Sequence, residues 1–255
     1  MPMAVFEGVG VALVTIFDDD GGLDAAASAR IAVQLVDVGV TAVVVSGTTG
    51  EAATLERAER IELLEAVRAA LSGSVPVIAG TGAPSARQAC ALTRDAFEHG
   101  ADAVLVLSPP RTPDVRPYYD AVARAAGGSQ RVLAYHFPAV SPPGIPVAEL
   151  GSLPVAGCKD SSGDAGRLLE EVTSFPGDLY TGSSALLSYA GPLGCTGAIL
   201  SLANVEPERC ARAFHGDTAA QRELDEPHRA AHDRFPAGLK EMVAARFATS
   251  TRVRA

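Results

Sequence analysis

Two lysines stand in this chain of 255 residues, Lys159 and Lys240, beside nineteen arginines. Lys159 lies in LPVAGCKDSSGD, residues 153 to 164. Arginine stays protonated in proteins, whereas a desolvated lysine can give up its proton and become a nucleophilic amine. A chain that otherwise uses arginine for positive charge, and places a lysine at the end of an apolar run containing Val155, Ala156 and Cys158, points to an amine chosen for covalent chemistry. A neutral amine attacks a ketone and forms a Schiff base. The bland alternative is a strand-end lysine that snorkels to solvent or pairs with Asp160. Lys240, in GLKEMVAARF, has the setting of an amphipathic helix, is expected to stay unmodified, and is followed by a tail expected to fray.

Other residues could serve such an amine. GTTGE, residues 47 to 51, reads as a turn in which Thr48 or Thr49 caps the next helix and Glu51 sits in its first turn. The same hydroxyls and amides would hold a carboxylate, because a helix N-terminus is an anion site. Tyr135, in LAYHFPAV, is either a core aromatic or a phenol within reach of Lys159 that relays protons. His136 alternates to the other face of the strand and is expected to pack toward helices. Tyr118 and Tyr119 read as packing or interface residues. The glycines of IAGTG and YTGSS could cradle a phosphate, but no cation flanks them.

These residues need a scaffold. Eight short, Val-rich apolar runs recur at 11 to 17, 41 to 46, 75 to 80, 101 to 108, 131 to 137, 153 to 159, 177 to 181 and 196 to 201. Such runs suit strands buried on both faces. Segments such as LERAERIELLEAVRAAL and ARQACALTRDAFEHG, with apolar residues every three or four positions, lie between them. Strict alternation predicts an α/β fold, a (β/α)₈ TIM barrel, as one domain over 1–255: the barrel over about 8–215 and a short C-terminal helical extension over about 216–248. The active site of such a barrel lies at the C-terminal ends of its strands. Lys159 closes the sixth run, and the remaining strand ends offer hydroxyls, glycines and amides.

Composition bounds the partners. The formal net charge of −9 argues against nucleic acid or an anionic membrane as partner. Four scattered cysteines, at 90, 158, 195 and 210, read as reduced core thiols. The N-terminal residues show no charged segment leading into an apolar one, and no apolar run approaches membrane-spanning length, so the expected location is cytoplasmic. His136 alone cannot make a metal site, so neither metal nor cofactor is expected.

GTTGE, YHFP, GCKDSSGD, YTGSS and GAILSLANV, in this order along nearly the whole chain, resemble the dihydrodipicolinate synthase / N-acetylneuraminate lyase family of Schiff-base aldolases. The resemblance implies a lyase that binds pyruvate or a related 2-oxo acid as an imine on Lys159. It implies that Thr48 and Thr49 hold the carboxylate, with Thr49 also counted in the catalytic set beside Tyr135, and that Gly182 and Ile199 line the pocket. It also implies a homo-oligomer, dimer or tetramer. The chain departs from the pattern in a short C-terminal helical region and at two places in the site. SPPR, residues 108 to 111, stands where many members carry Pro-Tyr-Tyr, so Arg111 replaces a relay tyrosine. Val140 stands where lysine-pathway members place an arginine for the second substrate's carboxylate. Val140 and Ser183 are therefore expected to contact an aldehyde that is sugar-like or apolar. The alternatives are 4-hydroxy-tetrahydrodipicolinate synthase itself and, from another class, a barrel that binds a small acid without catalysis.

Overall fold

The computed structural model describes residues 4–71, 73 and 75–254. Met1 to Met3, on which part of the N-terminal reading rests, and Ala255 lie outside the described residues. Eight parallel strands close into a barrel in chain order: β1 (Gly8–Ala12), β2 (Ala42–Val45), β3 (Val77–Gly80), β4 (Ala103–Leu107), β5 (Val132–His136), β6 (Gly157–Asp160), β7 (Asp178–Thr181) and β8 (Gly197–Leu200). The helices between them are α1 (Ala25–Asp37), α2 (Arg57–Ala70), α3 (Ala86–Glu98), α4 (Arg116–Ala125), α5 (Val147–Leu150), α6 (Ala165–Ser174) and α7 (Leu187–Leu193). After β8 come α8 (Pro207–Phe214), α9 (Thr218–Glu223), α10 (Asp225–Asp233) and α11 (Ala237–Phe247). The expected TIM barrel with C-terminal helices is what forms.

Local chemistry sets the boundaries. The side chains of Asp24, Ser85 and Asp164 accept backbone N–H groups at the starts of α1, α3 and α6, satisfying donors that a helix start leaves open. The alternating pleat splits the core in two. Val43, Val45, Val104, Val106, Ala134 and Cys158 face the helices, while Ala42, Val44, Ile78, Leu105, Leu133, Tyr135, Tyr180 and Ile199 fill the barrel. Tyr180 plugs the N-terminal end: its ring stacks on Phe6 at 4.6 Å and its hydroxyl donates to the Phe6 carbonyl at 2.9 Å. Gly197 makes room for that ring, since a Cβ there would lie 3.1 Å from it.

Two strands differ from expectation. β1 runs over Gly8–Ala12, so residues 13 to 17 of the expected strand form the buried start of the β1–α1 loop. Phe17, at the end of this segment, is fully buried and lies beneath the side chains of Lys240 and Arg254. β6 begins at Gly157, because residues 153 to 156 make the turn that leads into it. The four cysteines are buried and form no disulfide. Among the described residues no helix is long and apolar enough to cross a membrane.

Candidate active site

Parallel pairing puts Lys159 beside Tyr135 of β5 on one side and Tyr180 of β7 on the other. All three side chains point into the barrel, Tyr180 reaching down to Phe6 at its N-terminal end. Lys159 is 5% exposed, and its ammonium lies 4.4 Å from the centroid of the Tyr135 ring. The contact is with the ring face rather than the hydroxyl, and the ring also stacks with Phe137 at 5.9 Å. A cation on a ring face gains electrostatic attraction from the quadrupole. Lys159 does not pair with Asp160. The next residue of a strand turns outward, and Asp160 accepts the N–H and O–H of Ser162 at 2.7 and 2.9 Å and faces Arg167 at 3.7 Å. Burial raises the Asp160 carboxyl above its ordinary value, against the lowering effect of those hydrogen bonds.

Gly182, the residue after β7, closes the site. A Cβ on Gly182 would overlap the hydroxyl of Ser161 and stand 2.9 Å from Cε of Lys159. Glycine here is a condition for the lysine side chain to lie where it does. Ile199 of β8 is fully buried on the same interior face. Ser183 is half-buried, and its N–H donates to the Thr181 hydroxyl at 3.2 Å. Ser184, one residue on, bonds Nδ1 of His228 from α10 at 2.7 Å. Burial first, and the neighbouring His232 second, lower the pKa of His228.

The GTTGE turn does not cap a helix with its threonines. The Glu51 N–H donates to the Thr48 carbonyl at 3.1 Å and the Ala52 N–H to the Gly47 carbonyl at 3.2 Å. A single 3₁₀ turn over Ala52–Thr54 follows. α2 starts only at Arg57, where Glu59 accepts the Glu56 N–H at 2.9 Å. Thr49 is buried and Thr48 half-buried. Glu51 is not in a first helical turn; it occupies the left-handed region, φ 53°. The turn is tied to the β1–α1 loop by the Thr15 hydroxyl, which donates to the Gly50 carbonyl at 2.8 Å.

His136 packs toward the helices as expected. Its Nδ1 accepts the Ile145 N–H at 2.8 Å. Burial, and secondly the Arg167 guanidinium, push the imidazole down to about 4. It is neutral at pH 7 and takes no part in the barrel interior. Tyr119 is core, donating to the Val106 carbonyl at 2.8 Å. The glycines once open to a phosphate reading have packing reasons: a Cβ on Gly80 or Gly82 would strike the backbone of Ser46 or Leu107.

A cleft of about 860 Å³ adjoins the mouth, with Thr48, Leu107, Ser108, Pro110, Val140 and Phe235 among its walls. Val140 is 49% exposed. The two guanidinium groups in the wall are engaged. Arg57 binds Asp95 through two bonds of 2.6 and 2.7 Å, and Arg60 donates to the carbonyls of Gly80 and Ala52. Arg111 is exposed, and its N–H donates to the Pro142 carbonyl at 2.7 Å.

Lys240 corrects the sequence reading most sharply. It is 0% exposed, its ammonium lies 2.5 Å from Glu51 Oε1, and it donates to the Arg252 carbonyl at 2.6 Å. The tail does not fray, because Arg254 binds Glu59 through two bonds of 2.6 and 2.8 Å. Tyr180 and Ser161 were missed as neighbours of Lys159. Tyr180 could have been found by extending the period-2 alternation from Thr181, whereas the approach of Ser161 depends on a loop path.

The dihydrodipicolinate synthetase family model matches residues 5–240. The chain is 37% identical over 230 residues to the 4-hydroxy-tetrahydrodipicolinate synthase of Thioalkalivibrio sulfidiphilus, covering 85% of this chain and 78% of that protein. It is 38% identical over 210 residues to an uncharacterised DapA-like lyase of Halobacterium salinarum, covering 79% and 68%. The crystal structure of the dihydrodipicolinate synthase of Acinetobacter baumannii complexed with pyruvate superposes with a TM-score of 0.90 at 25% identity, covering 98% of this chain and 92% of that one.

Proposed function

Starting from a chain that belongs to the dihydrodipicolinate synthetase family, we propose that Lys159 forms an imine with pyruvate or a related 2-oxo acid and that the enzyme makes or breaks a carbon–carbon bond next to it. The observation that carries this reading is Lys159 itself, a 5% exposed lysine inside the barrel, flanked by Tyr135 and Tyr180. The chain is a lyase of its family, and the named relatives include both lysine-pathway synthases and DapA-like lyases.

In this mechanism the neutral amine adds to the ketone carbon and water leaves, giving an iminium. The iminium is an electron sink: it stabilises the carbanion at C3 when a C3–C4 bond breaks or a C3 proton is removed. Thr48 and Thr49 hold the carboxylate, and Gly182 and Ile199 bound the acid. Tyr135 moves protons during imine formation and bond cleavage.

The second carbonyl compound enters from the side of the cleft. We assign it an aldehyde without a carboxylate, in contact with Val140 and Ser183. A carboxylate calls for a cation, ideally a bidentate guanidinium. Val140 has no donor, and Arg57 and Arg60 are already engaged. The second reading, 4-hydroxy-tetrahydrodipicolinate synthase, is favoured by the 37% identical relative of that name. Comparing kcat/KM for condensation of pyruvate with aspartate semialdehyde against retro-aldol cleavage of 4-hydroxy-2-oxo acids separates the two. A faster semialdehyde reaction establishes the second.

We also propose a homo-oligomer. Phe235 and Val140, large apolar residues exposed beside the cleft, support it. Light scattering that returned a monomer at micromolar concentration would remove this part.

A further inference from the structure

Glu51 presents a conflict that the carboxylate turn alone does not explain. It adopts a left-handed backbone at φ 53°, a region in which a side chain is a cost and glycine is the usual choice. Its side chain is nonetheless present and buried, within the turn that carries Thr48 and Thr49. Its backbone N–H closes that turn on the Thr48 carbonyl.

The carboxylate of Glu51 is held from the far end of the chain. Oε1 lies 2.5 Å from the Lys240 ammonium, and Oε2 accepts the Arg254 N–H at 2.8 Å. Lys240 also grips the Arg252 carbonyl. Arg254 is anchored three ways beyond its ion pair with Glu59: its Nε donates to the Gly21 carbonyl at 2.7 Å, its Nη1 to the Thr54 carbonyl at 3.3 Å, and its guanidinium stacks 4.1 Å from the Phe17 ring. The segment 252 to 254 is therefore a strap across the β1–α1 loop, the 3₁₀ turn and the start of α2. Its innermost buckle is the buried Lys240–Glu51 pair. A buried ion pair adds little net stability over an apolar pair of similar volume, so stability is a poor reason for its presence. What such a pair supplies is a fixed geometry.

We infer that Lys240 is a positioning residue for the carboxylate turn: through Glu51 it fixes the Thr48–Thr49 segment from one side, while Thr15 fixes it from the other. The functional half of this inference rests on the 2-oxo acid reading given above. The structural half does not.

The test uses Lys240→Met, Glu51→Gln and the double variant, in the full chain, with two readouts. The first is hydrogen exchange of the amides of residues 47 to 54, which needs no substrate. Each variant should speed exchange there tenfold or more and leave β4 and β5 unchanged. The second is the KM for pyruvate, in a steady-state aldol reaction and as half-saturation of borohydride trapping. KM should rise about tenfold while kcat stays within threefold. The double variant should be no worse than the poorer single one, because the two side chains act as one unit. Lys240→Met removes the ammonium from a buried carboxylate and is the variant most exposed to misfolding. The double variant leaves no unpaired buried charge at this pair, so its readouts decide the matter if the single one fails to fold. Unchanged exchange in the turn overturns the inference, as does a pyruvate KM within twofold of wild type in a folded variant with intact trapping. If wild-type protein traps no pyruvate, the 2-oxo acid reading falls on its own, and exchange still decides whether Lys240 holds the turn.

Discussion

Replacing Gly182 with alanine tests whether the space around Lys159 is set by the neighbouring strand. The new Cβ would stand 2.9 Å from Lys159 Cε and 3.0 Å from Ser161 Cβ, and would overlap the Ser161 hydroxyl. Carbon atoms pack best at about 3.5 to 4.0 Å, so the lysine side chain must move by roughly 0.6 to 1 Å. Overpacking of this kind costs typically about 1 to 3 kcal/mol of stability, which a barrel of this size should survive. The larger effect is on chemistry, since a misplacement of about 1 Å can cost on the order of 10²-fold in rate. We expect Gly182→Ala to fold, to melt a few degrees lower, and to form the reduced pyruvate adduct about 100-fold more slowly at saturating pyruvate. Adding Ser161→Ala removes the hydroxyl overlap and should restore part of the rate. Single-turnover trapping with borohydride, sampled by intact mass, measures both. An alanine variant that traps within twofold of wild type would refute the claim that Gly182 shapes the lysine's position.

Three further outcomes follow from the same geometry. Tyr135→Phe should keep the fold and the ring-face contact with Lys159 while lowering kcat by roughly 10² to 10⁴, the range for a lost acid–base group; a near-wild-type rate returns Tyr135 to the core. Val140→Arg should raise kcat/KM for aspartate semialdehyde at least about tenfold, by supplying the missing cation, and no gain would remove Val140 from the acceptor site. His136 is held at about 4 against an ordinary 6.5, so the unfolded chain takes up this proton first: the stability contributed by the neutral ring is complete above about pH 6.5 and is lost as pH falls toward 4. The gap amounts to roughly 3 kcal/mol at most. Ring-nitrogen NMR shifts should show His136 neutral down to about pH 5, and a midpoint near 6.5 would contradict the packing described.

The barrel was legible because it rests on patterns local to each strand and helix. Val-rich runs at regular spacing, separated by amphipathic segments, leave few other arrangements for so much buried apolar surface. Lys159 and Tyr135 were legible as interior strand-end residues from the pattern of the strands, whereas Gly182 and Ile199 were indicated only by the family resemblance. The sequence says less where long-range contact decides. Residues 13 to 17 look like a strand but form a buried loop, in which Phe17 lies beneath Lys240 and Arg254. Glu51 looks like a first-turn helix acid, yet its partner is a lysine almost two hundred residues away. Lys240 carries the same signal of rarity as Lys159. Helical spacing alone suggested only an amphipathic helix, and its buried contacts with Glu51, the Arg252 carbonyl and the Phe17 ring are visible only in the folded chain.

The most direct measurement of the central claim is intact mass and peptide mapping after borohydride reduction in the presence of pyruvate, on wild-type protein and on Lys159→Arg. The account predicts one reduced pyruvate adduct per chain, mapped to Lys159, with Lys240 unmodified in its pair with Glu51 and with no adduct on the arginine variant. Absence of an adduct on wild-type protein, or an adduct that persists in Lys159→Arg, would contradict it.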